Sequence, residues 1–127
     1  LTAHGIYAAC EADHCASLSS TLMRQVVRDT SGFDGLLMSD DLDMKALVGE
    51  IGDLARASQL AGCDVVLNCW AKMVDMISIA EKLSSPSRES QERMAQVAAS
   101  LAFARTSDTL HQRQAALIER RDALMLR

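Results

Sequence analysis

The chain has 127 residues, of which 49% are hydrophobic and one is proline, so its composition is that of one folded domain at most and not of a disordered segment. A formal net charge of -4 and an aromatic content of 3% exclude the usual nucleic-acid-binding surface, because phosphate backbones require clustered Lys and Arg with interleaved aromatics. No stretch approaches the roughly 18 apolar residues of a membrane span, so neither nucleic acid nor membrane is expected as a partner.

The first elements are an extended segment and a helix. Residues 1–7 lack a preceding turn or cap, which predicts that the sequence begins inside a strand. Ser19 and Ser20 are candidate N-caps of the following helix, which is expected to end at Ser31 and Gly32. The apolar residues of this helix are expected on one face: Leu22, Met23, Val26 and Val27.

The central feature is a short apolar run, residues 36–38, followed by Asp40, Asp41 and Asp43. This pattern predicts a buried strand that delivers carboxylates to its carboxyl end, where α/β proteins place their chemistry. Strand alternation puts Asp40 and Asp41 on opposite faces, so the two are expected to have different roles. Residues 43–47 predict an N-cap and a helix, whose dipole would help to keep one carboxylate ionised.

The second half repeats this alternation. Asp53 is predicted to cap a helix that stops at Gly62, and residues 64–68 are predicted to form a second buried strand. A third helix is predicted from Met73 to Leu83, before a break at residues 84–87. Continuous apolar strands alternating with helices indicate an α/β fold with parallel strands. Beyond Pro86 the apolar spacing predicts two amphipathic helices joined at Thr106-Ser107-Asp108.

Four cysteines, Cys10, Cys15, Cys63 and Cys69, leave four and five residues between the members of each pair. These spacings miss the C-x2-C pattern of zinc sites, so no metal and no cofactor is predicted. Cys63 and Cys69 flank an apolar run and are expected to be small buried hydrophobes in a reducing compartment. The sequence is thus consistent with a cytoplasmic protein.

Several segments, taken together and in order, resemble the later part of a family 3 glycoside hydrolase, and within it the bacterial β-N-acetylglucosaminidases (β-hexosaminidases) of peptidoglycan recycling. The segments that carry this resemblance are Thr2-Ala3-His4, Leu18-Ser19, Gly32-Phe33-Asp34-Gly35, Met38-Ser39-Asp40-Asp41-Leu42-Asp43-Met44-Lys45-Ala46-Leu47 and Ala61-Gly62-Cys63-Asp64-Val65-Val66-Leu67. The chain departs from the family at position 1, where Leu replaces the usual Met. It also departs at Leu67-Asn68-Cys69-Trp70, where relatives tend to have Leu-His-Cys-Asn.

The resemblance implies a (β/α)8 TIM barrel of about 250 residues. Residues 1–85 would supply its last three βα units, as the C-terminal part of the catalytic barrel, and residues 86–127 a C-terminal helical extension. The family's Lys-His-Phe-Pro-Gly-His-Gly-like segment and its Asp-His acid/base loop precede this region and do not occur here. The chain alone is therefore expected to be inactive, and its unpaired barrel edges are expected to favour self-association.

By position in the motif, the resemblance makes Asp40 the nucleophile of a retaining hydrolase that removes terminal β-linked N-acetylglucosamine from peptidoglycan fragments. Asp41 would then hold loop backbone and Asp43 would cap the next helix, although three capping residues without catalysis remain an alternative. His4 is a candidate substrate-binding residue, or else a strand-end histidine satisfied by backbone. Tyr7 and Trp70 are expected to pack, with stacking on a sugar as the second possibility.

Two other classes compete with this interpretation. A strand followed by Asp41-Leu42-Asp43 resembles the Asp-x-Asp start of haloacid-dehalogenase-type phosphatases, but Lys45 stands where that motif has Thr or Val. A later pair of acidic metal ligands is also missing. The third possibility is a truncated, non-catalytic product or interaction fragment.

Overall fold

The computed structural model describes residues 1–105 and 109–125, and the side chains of residues 1–101 and 113–123. Its elements are a 3-10 turn at Ala16–Leu18, a π-helix at Leu22–Thr30, β1 at Met38–Asp41, α1 at Ile51–Ala61, β2 at Val65–Leu67, α2 at Met73–Lys82, α3 at Arg88–Arg105 and α4 at Thr109–Met125. The chain forms two compact units, Leu1–Arg93 and Met94–Arg127. No helix in the described part is long and apolar enough to cross a membrane.

The sheet is parallel. β1 pairs with β2, with Met38 opposite Val65 and Asp41 opposite Leu67. Thr2 forms a parallel bridge to Ser39, and its backbone groups bond to Met38 O and Asp40 N at 2.9 Å each. The predicted alternation of parallel strands and helices is thus confirmed. The predicted strand at residues 1–7 is wrong in extent, because it is reduced to the single bridge at Thr2.

The helix termini follow local capping rules, with one correction. Ser19 Oγ accepts a hydrogen bond from Leu22 N at 3.0 Å, as expected of an N-cap, and Ser31 closes the π-helix with an i→i+5 bond to Val26 O at 2.9 Å. α1 is capped by Glu50, whose carboxylate accepts from Asp53 N at 3.2 Å, so the prediction that Asp53 is the cap was wrong. Asp53 instead lies in the first turn, where a negative charge favours the helix dipole.

Gly62 ends α1 as predicted. Its φ of +116° is a left-handed conformation that glycine adopts at little cost, and its N–H bonds back to Gln59 O and Ser58 O. The chain then enters β2 directly. α2 also agrees with the prediction, ending at Lys82 with Leu83 as its C-cap, and residues 83–87 form the expected break before α3.

The helix predicted at residues 43–47 does not form. Met44 N bonds to Asp41 O at 3.2 Å and Leu47 N bonds to Met44 O at 3.0 Å, so two successive turns occupy this stretch. The Asp41 carboxylate accepts from Asp43 N at 3.3 Å, a local bond of the kind that competes with helix formation. No helix N-terminus therefore lies directly after the carboxylates, and α1 begins only at Ile51.

The core of the first unit is small. Met23, Leu37, Ala61 and Cys63 pack together, with Val27 against them. Cys63 is buried as predicted, whereas Cys69 is exposed, contrary to prediction. α3 and α4 were both predicted. Four of their described apolar side chains are exposed, namely Val97, Leu101, Leu117 and Ile118, whereas Met94 is half-buried. The joint predicted at Thr106-Ser107-Asp108 lies outside the described residues.

Asp64 is the main polar anchor of this unit. Its side chain is 2% exposed and accepts hydrogen bonds from Arg28 Nη2 (3.0 Å), Arg93 Nη1 (2.9 Å), Ser90 Oγ (2.6 Å) and Leu37 N (2.8 Å). These bonds connect the residue before β2 to three other segments: the π-helix, the start of α3 and the residue before β1. Sequence reasoning treated Asp64 as a strand residue and missed this role, because its partners are 26 to 36 residues away along the chain.

Candidate active site

The carboxyl end of β1 is irregular in a way that sets side-chain directions. Between Met38 and Asp41 the strand advances three residues while β2 advances two, which is a register shift of the β-bulge type. Ser39 is fully buried at this point, and its Oγ accepts the Leu67 N–H at 3.0 Å. The hydroxyl thus takes the place of a backbone acceptor in the ladder. Bulges of this kind re-aim neighbouring side chains and occur often beside active sites.

Asp40 lies within this bulge. Its N–H donates to Thr2 O at 2.9 Å, and its own Oδ1 accepts the Asp41 N–H at 2.9 Å. The residue is half-buried. Asp40 is therefore held by the Thr2 segment and by the next residue of its own strand. It presents a carboxylate at the end of a strand, which is the position and group that nucleophilic catalysis by a carboxylate requires.

Asp41 has a different environment, in agreement with the prediction from strand alternation. Its Oδ1 accepts from Cys69 N at 3.0 Å and from Asp43 N at 3.3 Å, so this carboxylate joins the β1 end to the loop after β2. The hydrogen bond from Cys69 N is the main reason that the pKa of Asp41 lies below its ordinary value. Asp41 thus holds loop backbone, as expected.

Asp43 does not cap a helix. Its carboxylate forms an ion pair with Lys72 Nζ at 3.2 Å, and Lys72 also lies 3.7 Å from Asp75. The prediction of a helix cap was wrong because residues 43–47 form turns and leave no helix N-terminus to cap. Asp43 instead connects the loop after β1 to the N-cap of α2.

His4 lies against the same strand end. Its Nε2 is 2.8 Å from Asp41 O, and its Nδ1 contacts Ser17 Oγ. Since a carbonyl oxygen only accepts, Nε2 carries the hydrogen, and both ring nitrogens are engaged within the protein. His4 thus joins the N-terminal segment to the residue after Asp40, and contact with substrate stays a prediction.

The loop after β2 carries exposed groups. Trp70, in this loop, is 69% exposed, and Tyr7, in the N-terminal segment, is 54% exposed. The expectation that both side chains pack was therefore wrong. Lys72 Nζ lies 5.9 Å from the centroid of the Trp70 ring, and Ala71 between them has a φ of +48°. Asn68, at the strand end, has amide atoms that are buried without a hydrogen-bond partner in the described part of the chain.

Sequence reasoning predicted that Asp41 holds loop backbone, but it missed the structural role of Ser39, and catalysis by Asp40 stays a prediction. Ser39 lies two residues after Leu37 and therefore on the same, covered face of the strand. A small hydroxyl residue at such a position was the available signal. Within residues 1–105 and 109–125, no group of three or more His, Cys, Asp or Glu side chains is arranged to hold a metal ion. The chemistry that the described site offers is that of a strand-end carboxylate.

Residues 1–103 match the family described as "Glycosyl hydrolase family 3 N terminal domain". The chain belongs to glycosyl hydrolase family 3. This match confirms the predicted family and leaves the phosphatase alternative without support. Relatives include a beta-hexosaminidase of Thioalkalivibrio sulfidiphilus, 42% identical over 71 residues, which are 54% of this chain and 20% of the relative. A beta-hexosaminidase of Tolumonas auensis is 34% identical over 88 residues, which are 68% of this chain and 26% of the relative.

Two solved structures have a fold similar to that of this chain. CbsA from Thermotoga neapolitana is 28% identical, with a TM-score of 0.62, over 81% of this chain and 24% of that chain. The β-N-acetylglucosaminidase from Thermotoga maritima also has a TM-score of 0.62, at 24% identity, over 80% of this chain and 24% of that chain, and shows the fold alone. The family 3 chain thus spans about a fifth to a quarter of the proteins that it matches here.

Proposed function

We propose that the natural gene product containing this chain is a retaining β-N-acetylglucosaminidase that uses Asp40 as its nucleophile. The observation that carries this proposal is the placement of Asp40 in a bulge at the carboxyl end of β1, in a member of glycosyl hydrolase family 3. Relatives that carry the name beta-hexosaminidase support an N-acetylhexosamine substrate. Peptidoglycan fragments in the cytoplasm are the proposed natural source of that sugar.

In this proposal residues 1–85 form the last three βα units of a (β/α)8 barrel and residues 86–127 a helical extension. The parallel order of the Thr2 segment, β1 and β2 supports it, because neighbouring strands of such a barrel are parallel and follow chain order. The placement of Asp40, Asp41 and the loop after β2 at one edge supports it too. Active sites of these barrels lie at the carboxyl ends of the strands.

The reaction proceeds in two steps. A carboxylate oxygen of Asp40 attacks the anomeric carbon of the terminal sugar, the glycosidic C–O bond breaks, and a general acid protonates the leaving oxygen. Water, deprotonated by the same group acting as base, then attacks the glycosyl ester and regenerates the Asp40 carboxylate. By resemblance the acid/base belongs to a loop that precedes this region in the family, so Asp40 is the one catalytic group assigned here.

Substrate preference tests the proposed activity. The natural gene product should hydrolyse a fluorogenic β-N-acetylglucosaminide and show at least about tenfold lower kcat/KM on the matching β-glucoside, because a site that hydrogen-bonds an N-acetyl group leaves those polar groups unpaired with the analogue. Parallel kinetics on the two substrates measure this ratio. A preference for the glucoside would contradict the N-acetylglucosaminidase assignment.

The 127-residue chain on its own should be inactive and should self-associate. The edge of the Thr2 segment carries exposed Leu1, and no strand in the described part of the chain covers the outer edge of β2, so two sheet edges are open to other chains. Without general acid/base help, worth about 10² to 10⁴-fold, the barrier to hydrolysis stays high.

Size-exclusion chromatography with light scattering and the fluorogenic assay measure both properties. A monomer that turns over the N-acetylglucosaminide would show that this stretch is self-sufficient and that the acid/base lies within it. A non-catalytic, self-associating chain from a gene that encodes nothing further would instead favour the interaction-fragment alternative.

A further inference from the structure

The imidazole of His4 lies in a row of hydrogen bonds that leads to the end of β1. Its Nδ1 contacts the hydroxyl of Ser17, and its Nε2 lies 2.8 Å from Asp41 O. Because a carbonyl oxygen only accepts, Nε2 carries a hydrogen, and in the neutral ring Nδ1 accepts from the Ser17 hydroxyl. Ser17 is fully buried, and its Oγ lies 3.3 Å from the Cys15 thiol, which is then the donor to that oxygen. These bonds fix both the orientation and the tautomer of the ring.

The backbone next to His4 holds Ser17 in place behind the ring. Ala16 N donates to Gly5 O at 2.8 Å, which joins the 3-10 turn to the residue directly after His4. The buried hydroxyl of Ser17 follows Ala16 in that turn. The imidazole is therefore bound on one side by the turn and on the other side by the end of β1.

The bond from His4 extends the pairing between the N-terminal segment and β1. Thr2 forms an isolated bridge to Ser39, and its carbonyl accepts the Asp40 N–H at 2.9 Å. Two residues after Thr2, the next bond to β1 comes from the His4 side chain and ends on Asp41 O. An imidazole N–H thus takes the place that a backbone N–H would have in a longer strand.

The same bond acts on Asp40 through Asp41. Asp41 N donates to Asp40 Oδ1 at 2.9 Å, so the residue whose carbonyl is bound by His4 also orients the carboxylate of the candidate nucleophile. Met44 N is a second donor to Asp41 O, at 3.2 Å, within a local turn. Without the imidazole, Asp41 O would be bound by that turn alone and would lose its connection to the N-terminal segment.

We propose that His4 is a positioning residue that aims the carboxylate of Asp40 at the anomeric carbon. This inference rests on the proposed glycosidase function. Both ring nitrogens of His4 are engaged within the protein, so the ring has no hydrogen bond left to offer a sugar hydroxyl. It acts instead on the direction of Asp40, and a misplacement of about 1 Å at a reacting group can cost on the order of 10²-fold in rate.

Two substitutions of His4 test this role in the natural gene product. His4→Ala should lower kcat/KM for a fluorogenic β-N-acetylglucosaminide about 10- to 100-fold, because Asp40 is less well aimed in the transition state. His4→Gln, which supplies an amide N–H as donor to Asp41 O, should restore most of that loss. The inhibition constant of N-acetylglucosamine, which reports binding of the sugar in the ground state, should change by less than about twofold in both variants. His14→Ala, which removes an exposed histidine of the same segment, is the matched control and should leave both constants unchanged.

A second readout does not depend on turnover. Nitrogen-15 NMR of the unmodified protein with labelled histidine should show a His4 ring that is protonated at Nε2 and not at Nδ1, with His4→Gln used to assign its signals. A ring protonated at Nδ1 alone would overturn the proposal, because it could not donate to Asp41 O. Unchanged kcat/KM in His4→Ala would overturn it as well.

Two further outcomes separate this role from its alternatives. If His4→Ala weakens inhibition by N-acetylglucosamine as much as it lowers kcat/KM, His4 binds the sugar and the positioning role is wrong. If the unmodified protein does not hydrolyse the N-acetylglucosaminide, the proposed function fails and this role fails with it. An active protein that is insensitive to His4→Ala overturns the role of His4 alone.

Discussion

Asp40→Asn should lower kcat/KM for a β-N-acetylglucosaminide by on the order of 10⁴-fold or more in the natural gene product, because an amide cannot form the glycosyl ester. The substitution is conservative for the fold. Asn retains an Oδ1 that accepts the Asp41 N–H, which lies 2.9 Å from the Asp40 carboxylate. A loss of activity with an unchanged melting temperature would thus report chemistry and not unfolding.

The neighbouring carboxylates supply matched controls for this experiment. Asp41→Asn preserves an oxygen for the Cys69 and Asp43 N–H groups. Asp43→Asn weakens an ion pair with Lys72 that solvent already screens. Both variants should keep much of the activity. A slow fluorosugar should label Asp40, and mapping the label to another residue by peptide mass spectrometry would refute the assignment.

Asp64→Asn should lower the free energy of unfolding by about 3 to 5 kcal/mol at pH 7. The Asp64 carboxylate is 2% exposed and is shared by the guanidinium groups of Arg28 and Arg93, which are themselves mostly buried. The side-chain amide carries no charge to balance the two guanidinium groups. Its NH2 group also replaces an accepting oxygen and faces other hydrogen-bond donors. Asp53→Asn is the matched control, because the side chains of its ion pair with Lys82 are 61% and 46% exposed, and solvent screening should make its loss change the free energy of unfolding far less.

The effect of Asp64→Asn should also depend on pH. Burial by itself would raise the pKa of Asp64, but hydrogen bonds from Ser90, Leu37 N and Arg93 outweigh it and lower the pKa. The folded-state pKa is then below the unfolded value of about 3.9, so the stabilisation is complete above about pH 4 and is lost as pH falls through the folded-state pKa. Urea denaturation followed by circular dichroism at pH 7 and near pH 3 measures this change. The variant and the unmodified protein should differ less in free energy of unfolding near pH 3 than at pH 7. An equal difference at both pH values would contradict this role of Asp64.

The sequence by itself determined the features that depend on neighbours along the chain. The cap at Ser19, the glycine stop at Gly62 and the positions of β2 and α2 were predictable, because capping, positive φ and apolar periodicity are local properties. The different hydrogen-bonding environments of Asp40 and Asp41 were also predictable, since strand alternation requires only two consecutive residues. The resemblance of the motif around Asp40 then gave the family, which the match over residues 1–103 confirmed.

Only the tertiary structure decided where backbone and side-chain groups meet over long separations. Leu67 N bonds to the hydroxyl of Ser39, 28 residues away, and this contact accompanies the bulge that places Asp40. The helix predicted after Asp43 gave way to turns, with the Asp41 carboxylate bound to loop backbone and Asp43 paired with Lys72 across 29 residues. The loop after β2 is joined to Asp41 through the Cys69 N–H, 28 residues away along the chain. Such contacts depend on which segments become neighbours in the fold, and a local pattern of residue types does not contain that information.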